Sequence, residues 1–150
     1  MKRNPNITPL SRDHHFGLLC SWKIREGLKK NIRPERISDY LLYFWSSHLK
    51  THFEEEEQLL FTNTDDPLTS QALNEHKHLR LLMERIKENP EESVLADFAG
   101  VLQEHIRFEE RVLFPHLERS LTEAELVTIG AELDRVHQHQ TDDYKDEFWR

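Results

Sequence analysis

Two ten-residue stretches, HFEEEEQLLF from His52 and HIRFEERVLF from His105, open on histidine, carry paired glutamates at the fifth and sixth places and close on Leu-Phe. Each histidine is followed four residues later by an acid: His52 by Glu56, His105 by Glu109. On a helix, positions i and i+4 share a face, with Cβ atoms about 6 Å apart. An imidazole nitrogen and a carboxylate oxygen so placed can reach one metal ion, or the carboxylate can bridge two. His139 and Asp143 repeat the spacing in the tail but lack the Leu-Phe ending. Two further histidines complete a candidate set: His14 in SRDHHFGLL and His76 in NEHKHLRLL. Aligning these segments sets Asp13 beside Glu75 and His14 beside His76, which favours His14 over His15. Four imidazoles and two carboxylates suit two first-row ions. Each ion would take two histidines and one oxygen from each bridging acid. A solvent-derived oxo or hydroxo bridge would follow, with one place open to a small molecule. Nitrogen and oxygen donors without thiolate fit iron, manganese or zinc, and an open dinuclear site favours iron.

Such a set needs helices to carry it. Turn signals fall at 29–36, 62–68, 87–92 and 118–125, and Pro34, Pro67 and Pro90 suit first helical positions. Asp66 and Asn89 precede two of these prolines as N-caps, and Thr122 with Glu125 spells a capping box. The spacing predicts helices at about 10–30, 34–61, 67–87, 90–118 and 122–140. Leu41 and Phe44 lead into His48, His52 and Glu56, while Leu95, Phe98 and Leu102 lead into His105 and Glu109. Those are buried stripes interrupted by polar groups, and bare burial of such groups is costly. The expected architecture is all-α: an up-down antiparallel four-helix bundle over about 10–118, an additional C-terminal helix and a tail at 141–150, in one domain. Counting outward from the loop centres, His14, His52, His76 and His105 fall at matching depths, to within roughly 1.5–3 Å at the helical rise.

Composition narrows the function. A net charge of −8 argues against a nucleic-acid partner. No apolar run approaches a membrane span. The opening MKRNPNITPLSRDHH has no apolar core of a signal peptide, and the lone Cys20 fits a reduced, cytoplasmic setting. No nucleophile–base set, phosphate loop or HExxH motif supports a hydrolase. Among the remaining polar residues, His48 is expected as a pocket residue rather than a ligand, and His78 on the surface. His116 is too distant to join the set, and His137 and His139 are expected in solvent. Glu57 and Glu110 should sit at helix interfaces or pair with basic residues, and Glu54 and Glu55 belong to a solvated charge run. Tyr144, Phe148 and Trp149 either pack back on the bundle or mark a contact surface.

Taken together, His14, HFEEE with His52 and Glu56, EH with His76 and HIRFE with His105 and Glu109 resemble the hemerythrin-like, or HHE cation-binding, domain. The resemblance spans about residues 8–118 and is closest at HIRFEERVLFPHL. It implies a four-helix bundle around a non-haem di-iron centre with those six ligands. It also implies a small ligand such as oxygen, nitric oxide or peroxide, in sensing, stress response or iron handling. Oxygen carriers of that family place a second histidine one turn after the third-helix ligand, where this chain has Arg80, which puts reversible oxygen transport in doubt. Two other readings compete. A ferritin-type carboxylate di-iron oxidase uses two Glu-x-x-His motifs, and here only Glu75 with His78 fits. A metal-free helical interaction module would leave the histidines as ordinary core and surface groups.

Overall fold

The computed structural model describes residues 2–138 and 141–150. Five helical rods follow one another: α1 (Thr8–Lys29), α2 (34–60), α3 (Pro67–Glu88), α4 (92–120) and α5 (Glu123–Val136), with no strand among the described residues. Two of the rods continue through π-turns, at Trp45–Leu49 and Glu56–Leu60 in α2 and at Glu109–Leu113 in α4. The expected last helix ends earlier, at Val136, and its expected end at 139–140, with His139, lies outside the described residues.

Local chemistry sets the ends. Asn31 takes φ 58, and Ile32 N–H bonds Gly27 O while Asn31 N–H bonds Leu28 O, a Schellman close for α1. Pro34 and Pro67 start α2 and α3 as expected. Asp66 takes the N-cap place before Pro67 in extended backbone, and its carboxylate accepts from Thr69 Oγ1 (2.8 Å) and His116 Nε2 (2.9 Å). Asn89 and Pro90 do not start α4. Asn89 closes α3 in extended backbone, as the residue before a proline favours, and α4 starts at Glu92. Thr122 and Glu125 form the capping box of α5.

Neighbouring rods pack in the cyclic order α1–α2–α3–α4, with α4 closing onto α1. Their apolar faces form two separate cores. One gathers Ile24, Ile37, Leu41, Leu79, Phe98 and their neighbours; the other gathers Ile7, Leu10, Phe61, Phe114, Leu117 and the inner face of α5. A layer of buried polar residues lies between them. Each fully buried apolar side chain on either side of it contributes about 1.5–3 kcal/mol. The tail packs back. Phe148 and Trp149 are 2% and 9% exposed, and the Phe148 ring lies where a Cβ on Gly27 would stand. Asp142 accepts from Lys23 Nζ (2.8 Å) and the Tyr40 hydroxyl (2.9 Å), and Lys23 lies 4.0 Å from the Trp149 ring centre. No helix among the described residues is long and apolar enough to cross a membrane.

Candidate metal centre

All six expected residues meet in the polar layer, none more than 5% exposed. They fall into two overlapping groups, His14–His52–Glu56–Glu109 and His76–His105–Glu56–Glu109, whose donor atoms lie within 4.8 Å of one another. Glu56 Oε2 lies 3.2 Å from His52 Nε2 and 3.9 Å from His14 Nε2, while its Oε1 lies 3.2 Å from His76 Nε2. Glu109 mirrors this: Oε1 is 2.8 Å from His14 Nε2, and Oε2 is 3.1 Å from His105 and 3.8 Å from His76. Each carboxylate therefore spans both histidine pairs.

The π-turns explain how one face carries so many donors. Steps of four residues overshoot a 3.6-residue turn by about 40° each, so His48, His52, Glu56 and Leu60 would spiral off the stripe. The wider i→i+5 turns at Trp45–Leu49 and Glu56–Leu60 absorb that excess, as Glu109–Leu113 does in α4.

A second set of acids holds the imidazoles. His14 Nδ1 meets Glu110 (3.0 Å), His52 Nδ1 meets Asp13 (2.9 Å), His76 Nδ1 meets Glu57 (2.6 Å) and His105 Nδ1 meets Glu75 (2.6 Å). A carboxylate can only accept, so every Nδ1 carries its proton and every Nε2 faces inward. The pattern is a closed ring: α1 braces the histidine of α2, α2 that of α3, α3 that of α4, and α4 that of α1. Such outer carboxylates fix ring orientation and raise ligand basicity. Replacing Glu57 by Gln or Asp13 by Asn is therefore expected to weaken metal binding roughly 10- to 100-fold without unfolding the bundle, measured by chelator competition.

Charge balance in the layer is tight. Burial pushes the His76 pKa down, but the Glu109, Glu56 and Glu57 carboxylates outweigh it and lift it to about 10. For His105, burial opposes and Glu109 with Glu75 prevails, giving about 9. Burial raises the Glu57 carboxyl, yet His76 and Arg80 hold it at about 2. Even so, both oxygens of Glu56, Glu109 Oε2 and the Nε2 atoms of His76 and His105 have no aligned hydrogen-bond partner among the described residues. Such orphans are costly in a dry interior. Donors that converge on shared points instead of on each other are the arrangement a bound cation satisfies, and the all-nitrogen-and-oxygen set fits one.

The residues around the six divide between expected and new. His15 is exposed, as is His78. Glu75 braces His105 and His78 points away, so the single Glu-x-x-His match does not build a ferritin-type ligand pair. Arg80 grips both oxygens of Glu57 (2.7 and 3.0 Å) and lies 5.7 Å from the Phe53 ring. Two expectations are corrected. His137 is not in solvent and Glu55 is not on a solvated face: His137 Nδ1 bonds Glu55 (2.7 Å), and its Nε2 lies 3.3 Å from Asp13. The tertiary return of the segment after α5 brings them together, which no local pattern encodes. The bracing roles of Asp13 and Glu75 went unread too. Their signal was present, since each directly precedes one of the clustered histidines, as Glu57 and Glu110 directly follow Glu56 and Glu109.

Comparison with known families gives one result. The model of the hemerythrin HHE cation binding domain matches residues 15–117. The chain belongs to this family. The match covers five of the six clustered residues and starts directly after His14. Within this HHE domain the geometry selects His14 over His15, because His14 alone of the two turns inward. Cation binding is the property the family name carries, and the buried His/Glu groups are where this member can express it. No curated protein and no solved structure matches the chain.

Proposed function

We propose that this HHE-domain protein binds two iron ions, one between His14 and His52 and one between His76 and His105, bridged by Glu56 and Glu109. An open iron position takes a small ligand such as oxygen, nitric oxide or peroxide, in sensing, stress response or iron handling. The observation that carries this reading is the division of six buried side chains into two histidine pairs that share the same two carboxylates. Iron held by such ligands supplies one-electron chemistry and affinity for diatomic molecules. The protein supplies the rest. The bracing acids keep each Nε2 lone pair turned inward, and Phe53, stacked 3.8 Å from His76, with Phe114, 5.4 Å from His14, shields the layer from water. Cys20 takes no part: it is buried in the distant apolar core, where burial pushes its thiol pKa up.

Anaerobic loading with ferrous iron, followed by elemental analysis and a near-ultraviolet spectrum before and after air or nitric oxide, tests the reading. About two irons per chain and a charge-transfer band that responds to the gas are expected. Zinc or manganese at the same stoichiometry, with no gas response, would keep the site and discard the iron function. Failure to retain any metal would discard both.

A further inference from the structure

Beside the ligand cluster lies a small cavity with a volume of about 10 Å³ open to the centre of a water-sized sphere, room for roughly one water or diatomic molecule. One wall is His14, His52, His105 and Glu109; the rest is mainly apolar, with Gly17, Phe44, Leu49, Phe53, Leu102 and Ile106. The remaining polar groups in the wall are Asp13 and His48. Asp13 is committed to His52 and His137. His48 makes no side-chain hydrogen bond: it is 5% exposed, neither ring nitrogen has an aligned partner among the described residues, and the polar group that meets it on its groove side is the Thr141 backbone. Phe16, Tyr43 and Phe44 pack around its ring. An imidazole buried among aromatics with no aligned partner costs stability, and the π-turn Trp45–Leu49 sets its position in the rod. His48 also lines a surface groove with Ser47, Thr51, Glu55, His137 and Thr141, so its ring forms the wall between solvent and the cavity.

We propose that His48 is the hydrogen-bond donor that grips a small anionic ligand in this cavity and gives the centre its preference for anions over neutral diatomic molecules. A neutral imidazole has one N–H to donate, and the other wall groups near the ligands are acceptors or apolar. The inference rests on the proposed metal centre, whose ligands supply the other end of the binding site.

The test compares the wild type with His48→Leu and His48→Gln. Cyanide, a diatomic anion matched in size to nitric oxide, is titrated into the iron-loaded, air-oxidised proteins, nitric oxide into the ferrous forms, and the metal-free proteins are unfolded thermally. His48→Leu is expected to bind cyanide about 10-fold or more weakly, the loss of one hydrogen bond to a charged group, with nitric oxide affinity changed less than about 3-fold. His48→Gln, which keeps a donor, should recover most of the cyanide affinity. Iron content should stay at the wild-type level, and metal-free His48→Leu should unfold no earlier than the wild type, since leucine keeps apolar contact with the surrounding rings and no aligned hydrogen bond is lost. Cyanide affinity unchanged in His48→Leu with iron intact overturns the inference and leaves the metal centre standing. An equal loss for cyanide and nitric oxide, or early unfolding of the metal-free variant, assigns His48 a structural role and overturns it as well. A wild type that takes up no iron removes the centre and the inference together.

Discussion

Glu109→Gln and Glu56→Gln are each expected to abolish retention of both metal ions, whereas His76→Ala should cost about half. The asymmetry follows from sharing. Glu109 sets one oxygen against His14 and the other against His105 and His76, and Glu56 sets one against His52 and the other against His76. An amide at either place removes one negative charge from both ion positions and turns an N–H₂ toward one of them. Removing one imidazole withdraws a single donor from a single position. After anaerobic ferrous loading and desalting, the glutamine variants should hold less than about a tenth of the wild-type metal. Circular dichroism should stay helical, because the two apolar cores are untouched. Equal, half-maximal losses in all three variants would mean two independent sites and would sink the bridged arrangement.

The second expected result is a metal affinity that climbs with pH. His76 and His105 titrate at about 10 and 9 in the metal-free protein, above the ordinary value near 6.5, because the surrounding carboxylates outweigh burial. At pH 7 both rings are protonated, and a metal ion must displace those protons. Affinity should rise roughly tenfold per pH unit for each displaced proton, levelling off above about pH 10. Stability of the metal-free fold runs the other way. Groups with a raised folded pKa contribute fully below about pH 6.5, and that contribution is lost as pH rises through 9–10. The metal-free Tm should therefore fall over this window while the increment from ferrous iron or zinc grows. With ligand a thousandfold above Kd the gain is about 4 kcal/mol, or roughly 8–16 °C for a domain this size. Calorimetric titration in buffers of different ionisation heat counts the protons. Proton release near zero at pH 7 would show that these imidazoles do not become ligands.

The six central residues were legible because each sits at a helical interval from core leucines and phenylalanines, and a polar residue on an apolar stripe must have a partner. Helix count and the depth of the layer follow from the same periodicity and from Pro34, Pro67 and the Thr122–Glu125 box. Other features depend on information that period and propensity do not hold. The π-turns leave the residue pattern unchanged and alter only which atoms bond. Asn89 and Pro90 resemble a helix start, yet the preceding helix had already claimed Asn89 as its end. Glu55 resembles its acidic neighbours in the run and is distinguished only by His137, 82 residues away. The tail aromatics were ambiguous for the same reason: what decides their fate is the gap left beside Gly27 by a residue without a side chain.

The ring of bracing acids also sets an order of events during synthesis. Its links join residues 39, 19, 30 and 96 positions apart, the longest tying Glu110 to His14. A nascent chain leaving the ribosome with only its first three rods has His14 without its brace, and Glu109 has not yet been made. Premature capture of a stray cation by a half-built centre is thereby disfavoured, and a cation held by residues of all four rods would certify that the whole bundle has closed.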